Sequence, residues 1–314
     1  MATMKAVRIH TYGGPETLAY EDAPRPEPAA DEVLIHIHAA SVNPLDWKIR
    51  GGFGKDRFKH HLPLILGWDV AGTIAATGSQ VEQFQTGDAV YGYTSLFRDG
   101  GYAEFIVAKT IEIALKPTSV DFIEAAAIPV AALTPWQALF DTAGLSANQR
   151  VLIHAASGGV GSLAVQLAKA KGAYVIGTAS ARNADFLREL GTDEIIDYQT
   201  TKFETAVQDV DVVFDTIGGD TQERSFGVLR KDGWLVSIVS PPSQETAAQY
   251  GVRSTMVGVQ PNGIQLKEIA ALVDSGKVKP YVETVLPLKE ARQAHELSQS
   301  GRTRGKIILQ MVDN

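Results

Sequence analysis

With 314 residues, of which 45% are hydrophobic and 21% charged, the chain has a globular composition and the length for two domains. A formal charge of −7 and a pI near 5.5 supply no basic field for a phosphate backbone, so no nucleic-acid partner is expected. The absence of cysteine removes disulfides, thiol nucleophiles and every zinc site built on Cys.

In chain order, residues 1–9 lack the apolar core of a signal peptide, and no later segment runs long enough without charge to span a bilayer; a cytoplasmic address is expected. The first ~120 residues read as short strands punctuated by Gly, Pro and Asp. Residues 33–39 alternate, 69–78 form a strand ending in a turn, and the Pro-rich stretch 24–28 is a loop. Of the seven histidines, His36 and His38 share a strand face and His60 and His61 adjoin in a loop; such pairs lack the three or four ligands of a metal site, so no metal is expected. From Glu124 onward, β-type runs at 151–155, 174–178, 211–215 and 234–238 alternate with helical patterns, which predicts a doubly wound parallel sheet. His154 interrupts an apolar strand and reads as a satisfied core histidine. Helices are predicted over 267–275 and 288–299, and the closing run 306–310 is a strand that returns to the first domain's sheet. The organisation expected is therefore a discontinuous β-rich domain, 1–124 and 265–314, with a nucleotide-binding domain, 125–264, inserted into it.

Directly after the strand 151–155 stands Ala156-Ser157-Gly158-Gly159-Val160-Gly161, followed by a helical pattern from Ser162. This is the dinucleotide fingerprint with its first Gly replaced by Ala, and Ser157, Gly158, Gly159 and Val160 are the residues predicted to meet the pyrophosphate at the helix N-terminus. NAD enzymes place a carboxylate at the end of the second strand; here it ends Gly177-Thr178-Ala179-Ser180-Ala181-Arg182. Ser180 can hydrogen-bond a 2′-phosphate and Arg182 can pair with it, which favours NADPH over NADH; the alternative is that Arg182 only opens a solvated helix.

Gln149, Leu152, the 156–161 turn, Gln166 and Lys169 fall at the spacing of a family signature. With Gly13-Gly14-Pro15-Glu16, Asn43-Pro44-Leu45-Asp46, Gly67-Trp68-Asp69-Val70-Ala71-Gly72, Gly87-Asp88-Ala89-Val90-Tyr91-Gly92 and Arg304-Gly305-Lys306, the chain resembles, over nearly its whole length, the zinc-free quinone oxidoreductase or ζ-crystallin-like branch of the medium-chain dehydrogenase/reductase superfamily. The resemblance implies a chaperonin-10-like (GroES-like) domain, a Rossmann domain and a cleft between them. Zinc alcohol dehydrogenases of that superfamily carry Gly-His-Glu with a metal-binding His where this chain has Gly67-Trp68-Asp69; the region of their upstream metal-binding Cys is Ser41-Val42-Asn43-Pro44, and their four-Cys lobe has no counterpart.

Without a metal, acceptors already activated by conjugation are the easier substrates, so hydride transfer to an enone, alkenal or quinone is expected. Asn43 is the candidate donor to the developing oxyanion, or else it holds the turn before Pro44. Lys48 stands where many quinone-reductase relatives carry Tyr; it steadies the oxyanion or delivers a proton, or is a solvated charge. The Asn-Pro-x-Asp-Trp-Lys form resembles relatives that reduce α,β-unsaturated ketones and aldehydes. Trp68 is either an apolar wall of the substrate pocket or ordinary core. The resemblance further implies Thr134 near the nicotinamide, Tyr198 near the 2′-phosphate, and Arg304 or Lys306 near the cofactor phosphates. Ile217 and Ser240 follow the fourth and fifth strands, at the carboxyl edge where doubly wound sheets bind ligands. The alternatives kept open are a strict quinone reductase acting by one or two electrons and a non-catalytic, crystallin-like NADPH-binding protein. Residues 255–259 read as an outer strand with an unpaired edge, and the resemblance, whose family pairs such edges, implies a homodimer.

Overall fold

The computed structural model describes residues 2–311, which fall into two compact units. One consists of Met1–Val130, Pro261–Asp274 and Pro280–Asn314, the other of Ala131–Gln260 and Ser275–Lys279. The strands of the first unit before the chain crosses over are β1 (Thr3–Ile9), β2 (Leu18–Pro24), β3 (Glu32–Val42), β4 (Leu64–Ile65), β5 (Asp69–Thr77), β6 (Ala89–Tyr93), β7 (Phe105–Lys109) and β8 (Ile113–Leu115). The second unit holds β9 (Arg150–Ile153), β10 (Tyr174–Ala179), β11 (Glu194–Asp197), β12 (Val210–Asp215), β13 (Leu229–Ser237) and β14 (Arg253–Met256). The chain then returns to the first unit with β15 (Val282–Pro287) and β16 (Lys306–Gln310).

In the first unit β3 is the central strand. Its β-branched and apolar residues suit a pleated surface buried on both sides, and it pairs antiparallel with β5, β7 and β16. Irregular register at Leu34/Ile35 and Ile37/Ala39 bends it enough to serve all three partners. The pairing of β16 with β3, Ile307 opposite Val42, closes the discontinuous unit.

In the second unit six parallel strands run in the order β11-β10-β9-β12-β13-β14, the doubly wound arrangement. Successive residues of each strand feed opposite faces: Val151, Ile153, Val175 and Phe214 pack in one core, Leu152, Ile176, Val213 and Leu235 in the other. Residues 275–279 belong here because the Gln166 amide grips both sides of Lys279, accepting from its N–H at 2.7 Å and donating to its carbonyl at 2.9 Å.

Several predicted bounds move. The first strand of this unit ends at Ile153 rather than Ala155, because Ala155 takes a left-handed φ of 47° that starts the turn. The helix predicted from Ser162 begins at Gly159 (Gly159–Ala170), the one predicted over 267–275 is Gly263–Asp274, and 288–299 is a short 3-10 turn followed by the helix Ala291–Gln299. The predicted edge strand over 255–259 is Arg253–Met256.

The Ala at the first fingerprint position is accommodated by its neighbour strand. A Cβ at Gly177 would lie 2.9 Å from the Ala156 Cβ and 3.2 Å from Thr192 Cγ2, so the methyl on the turn is possible because β10 carries none at that point. Gly161 has no such latitude: a Cβ there would stand 2.3 Å from the Ala155 carbonyl oxygen, so the helix can pack against the turn only with glycine. Beneath the turn, His154 is fully buried between Thr178 Oγ1 at 3.2 Å and Ser225 Oγ at 2.9 Å. Ser225 donates to the Thr221 carbonyl and Thr178 Oγ1 accepts from Ala155 N–H, which makes Nε2 the protonated nitrogen and Nδ1 the acceptor. Burial, reinforced by Arg224 and opposed by Asp215, holds the imidazole neutral and takes its pKa down to about 4.

Two outcomes follow from this packing. Gly177→Ala should cost about 1–3 kcal/mol of stability in urea unfolding, and adding Ala156→Gly should recover part of it; parental stability in the single variant would contradict the contact. For His154 the folded pKa lies below the unfolded value, so its contribution is intact above pH 6.5 and erodes as pH falls toward about 4. At 1.36 kcal/mol per unit this reaches roughly 3 kcal/mol, and His154→Gln should flatten that part of the stability–pH curve; identical curves would refute it.

Candidate functional site

The helix Gly159–Ala170 begins at Gly158, whose carbonyl accepts the first helical bond from Ser162 N–H at 2.9 Å. The amides of Gly159, Val160 and Gly161 therefore have no intrahelical acceptor and sit at the positive end of the helix dipole. A Cβ at Gly158 would meet only the Ala155 carbonyl, at 3.3 Å, so the turn lies open to a pyrophosphate approaching its backbone. The residues present fit a dinucleotide.

At the ribose end, a residue that sequence reasoning passed over joins two that it named. The buried Asn183 donates through Nδ2 to Ser157 Oγ at 3.0 Å and to Ser180 Oγ at 3.3 Å, tying the glycine turn to the end of β10. Arg182 is exposed in the 3-10 turn Ala181–Asn183, and Tyr198 is exposed directly after β11, its N–H bonded to the Ala179 carbonyl at 3.2 Å. Ser180, Arg182, Asn183 and Tyr198 thus gather at the carboxyl ends of β10 and β11, with no Asp or Glu at the end of β10. A carboxamide four residues past the strand, closing the turn before a helix, was the available signal for Asn183.

Past β12 the buried Asp215 shapes the next loop, accepting from the N–H groups of Ile217 at 3.0 Å and Gly218 at 2.8 Å, from Gln222 Nε2 at 2.8 Å and from Ser237 Oγ at 2.8 Å. Ile217 is exposed on it, and Ser240 after β13 accepts from Gln222 through its carbonyl at 3.0 Å. Thr134 is buried in the helix Pro129–Pro135.

The first unit contains a buried polar network centred on Asn43. Its backbone N–H donates to Asp46 Oδ2 at 2.8 Å, capping the helix Pro44–Arg50; its side-chain Nδ2 donates to Asp69 Oδ2 at 2.9 Å; and its Oδ1 accepts from Lys306 Nζ. Lys306 Nζ lies 3.9 Å from Asp69, and Asp69 Oδ1 accepts from Val130 N–H at 2.8 Å. A second chain of bonds ends on Asp46. Arg50 donates to His295 Nδ1 at 2.9 Å, His295 Nε2 lies 3.3 Å from the Tyr102 hydroxyl, and Tyr102 donates to Asp46 Oδ2 at 2.8 Å. A guanidinium only donates, so His295 Nδ1 must accept and Nε2–H points along the chain to Tyr102. Tyr102 needs Gly67, at φ 79°, because a Cβ there would fall 2.1 Å from its ring.

Burial dominates the electrostatics. It raises Asp46 to about 7, against the bonds from Asn43 and Tyr102, and Asp69 to about 6, against the attraction of Lys306. It lowers Lys306 against the pull of Asp69 and Asp46, and takes His295 down to about 3 with help from the Arg50 charge.

Two sequence expectations are corrected here. Trp68 is no pocket wall: it is 1% exposed, donates Nε1 to the Arg98 carbonyl at 3.1 Å and packs beside His60. Lys306 is no phosphate ligand, since its ammonium is buried on Asn43. Asn43 has one Nδ2 hydrogen and its carbonyl engaged, and among the described residues its second Nδ2 hydrogen meets no acceptor. Lys48 is half-buried, its ammonium 5.7 Å from the Trp47 ring, and Arg304 donates its N–H to Glu283 at 2.9 Å. Among the described residues no group of three or more His, Cys, Asp or Glu side chains is placed to hold a metal ion.

Residues 29–118 match the alcohol dehydrogenase GroES-like domain and residues 190–309 the zinc-binding dehydrogenase domain, although the residue types at 67–69 and the missing cysteines do not fit a zinc site of that kind. The chain is 36% identical to the chloroplast envelope quinone oxidoreductase homolog of Arabidopsis thaliana, covering 98% of each. It superposes on the quinone oxidoreductase of Coxiella burnetii with a TM-score of 0.94 at 37% identity, over 99% of this chain and 100% of that one. For Escherichia coli quinone oxidoreductase complexed with NADPH the TM-score is 0.89 at 30% identity, over 99% and 100%. With a doubly wound nucleotide unit, a GroES-like unit and these relatives over its whole length, the chain belongs to the quinone oxidoreductase branch of the medium-chain dehydrogenase/reductase superfamily and is an NAD(P)H-dependent oxidoreductase.

Proposed function

We propose that the chain is an NADPH-dependent reductase that works without zinc and reduces conjugated carbonyl compounds, enones and alkenals as well as quinones. The observation that carries this reading is the donor set at 67–69: a buried Trp68 with its N–H spent on a carbonyl, and an Asp69 spent on an amide and a backbone N–H. Neither is a metal ligand in this arrangement, and a saturated carbonyl gains no Lewis acid from them. A bound reduced nicotinamide supplies hydride. In a conjugated acceptor the electron pair that arrives with it settles on the oxygen, so a hydrogen-bond donor at that oxygen does the work a metal would otherwise do. The remaining Nδ2 hydrogen of Asn43 is that donor.

For the cofactor, Ser180 and Arg182 offer a hydroxyl and a guanidinium to a 2′-phosphate at a strand end without a carboxylate. The E. coli relative's complex with NADPH supports this choice. A strict quinone reductase is the second reading, favoured by the names of the Arabidopsis, Coxiella and E. coli proteins. Product analysis separates the two: a saturated ketone marks alkene reduction, a semiquinone or hydroquinone the other. We also propose a homodimer through the open edge of β14, which among the described residues has a strand neighbour on one side only. A monomeric mass at working concentrations would refute it.

NADPH oxidation should be seen with an enone, an alkenal and a naphthoquinone but not with a saturated ketone; turnover of the saturated ketone would overturn the zinc-free argument. Arg182→Ala should raise the KM for NADPH by about 10-fold or more and leave that for NADH nearly unchanged, as expected for loss of a charge-assisted phosphate contact. Equal effects on both cofactors would refute the assignment.

A further inference from the structure

We infer that Asp69 and Lys306 are positioning residues for the reaction: they hold the Asn43 carboxamide in the one rotation that aims its second Nδ2 hydrogen at the oxygen of the acceptor. This rests on the reading of Asn43 as that donor.

An Asn side chain has two orientations of nearly the same shape, and in one of them the carbonyl stands where the donor should be. Here the flanking charges choose between them. Asp69 accepts on the Nδ2 side at 2.9 Å and Lys306 donates on the Oδ1 side. A half-turn of the amide would set its carbonyl against the Asp69 carboxylate and its NH2 against the lysine ammonium, two repulsive contacts in a buried site where such terms are large. The partners themselves have little freedom. Asp69 opens β5 and Lys306 opens β16, and both strands are hydrogen-bonded to β3, Ser41 opposite Asp69 and Val42 opposite Ile307. Asn43 follows the last residue of β3, and its backbone is fixed by Asp46, which Tyr102 holds in turn. The amide is thus pinned at both of its polar atoms, and the residue also at its backbone N–H, before any substrate arrives, the condition under which a hydrogen bond to a developing charge costs no reorganisation. Lys306 at the carbonyl also draws electron density from the amide and strengthens the remaining N–H as a donor.

The test is a double-variant cycle on the full chain, using the conjugated acceptor turned over fastest and following kcat, both KM values and NADPH affinity by fluorescence. Asn43→Ala and Lys306→Met should each lower kcat by about 10- to 100-fold with NADPH affinity unchanged. The double variant should be no slower than Asn43→Ala alone, and Lys306→Arg should restore part of kcat. If Lys306→Met does not fold, the pair Asp69→Asn and Lys306→Met, which removes both buried charges, takes its place in the cycle. Parental kcat in Asn43→Ala would overturn the donor reading itself. An impaired Asn43→Ala with an additive Lys306→Met loss, or with loss only in NADPH affinity, would overturn the positioning role alone.

Discussion

An ammonium group buried at the junction of three strands is the constraint on which the first unit turns. Taking Lys306 out of water is costly, and the cost is offset only if acceptors converge on it from elements far apart in the chain. They do: the Asn43 carbonyl from the end of β3, the Val42 carbonyl at 3.4 Å, and the Asp69 carboxylate from the start of β5. That convergence requires the last strand to return and pair with β3, so the discontinuity of the unit and the polarity of its interior have one cause. Asp69 tolerates burial with a donor on each oxygen, and Asp46 with two donors on Oδ2.

The second unit solves a different problem, bringing backbone close to an anion. Its glycine turn combines a left-handed Ala155, a helix start without intrahelical acceptors and a Gly161 that no larger residue can replace. The departure from the usual fingerprint, Ala156, is absorbed on the neighbouring strand by Gly177. His154 below it is neutral and doubly bonded, holding the ends of β9 and β10 and the helix Gly219–Ser225 together with side-chain bonds. Asn183 then links the turn to Ser180 at the end of β10.

Where zinc alcohol dehydrogenases, as the resemblance describes them, bring ligands to a metal, this chain brings a carboxylate and an ammonium to an amide. The change is in the interior as well as in the ligands: Trp68 fills space and donates to Arg98, while a directed chain from Arg50 through His295 and Tyr102 stabilises the carboxylate that caps the helix after Asn43. Under the proposed function, the chemistry shifts from polarising an oxygen by a cation to receiving charge on an oxygen through hydrogen bonds.

Much of the nucleotide unit was legible in the sequence because its signals are local. Strand and helix periodicity, a glycine turn between them and the missing carboxylate after the second strand each occupy a few consecutive residues, and backbone sterics translate them directly into shape. The sequence by itself thus determined the doubly wound sheet, the dinucleotide turn, the burial of His154 and the absence of a cysteine-based metal site. Only the tertiary structure decided which groups Asn43, Trp68 and Lys306 bond to. Their partners lie up to 264 residues away, and whether a polar side chain faces a ligand or another buried group depends on which strands pair and in what register, which local pattern does not encode.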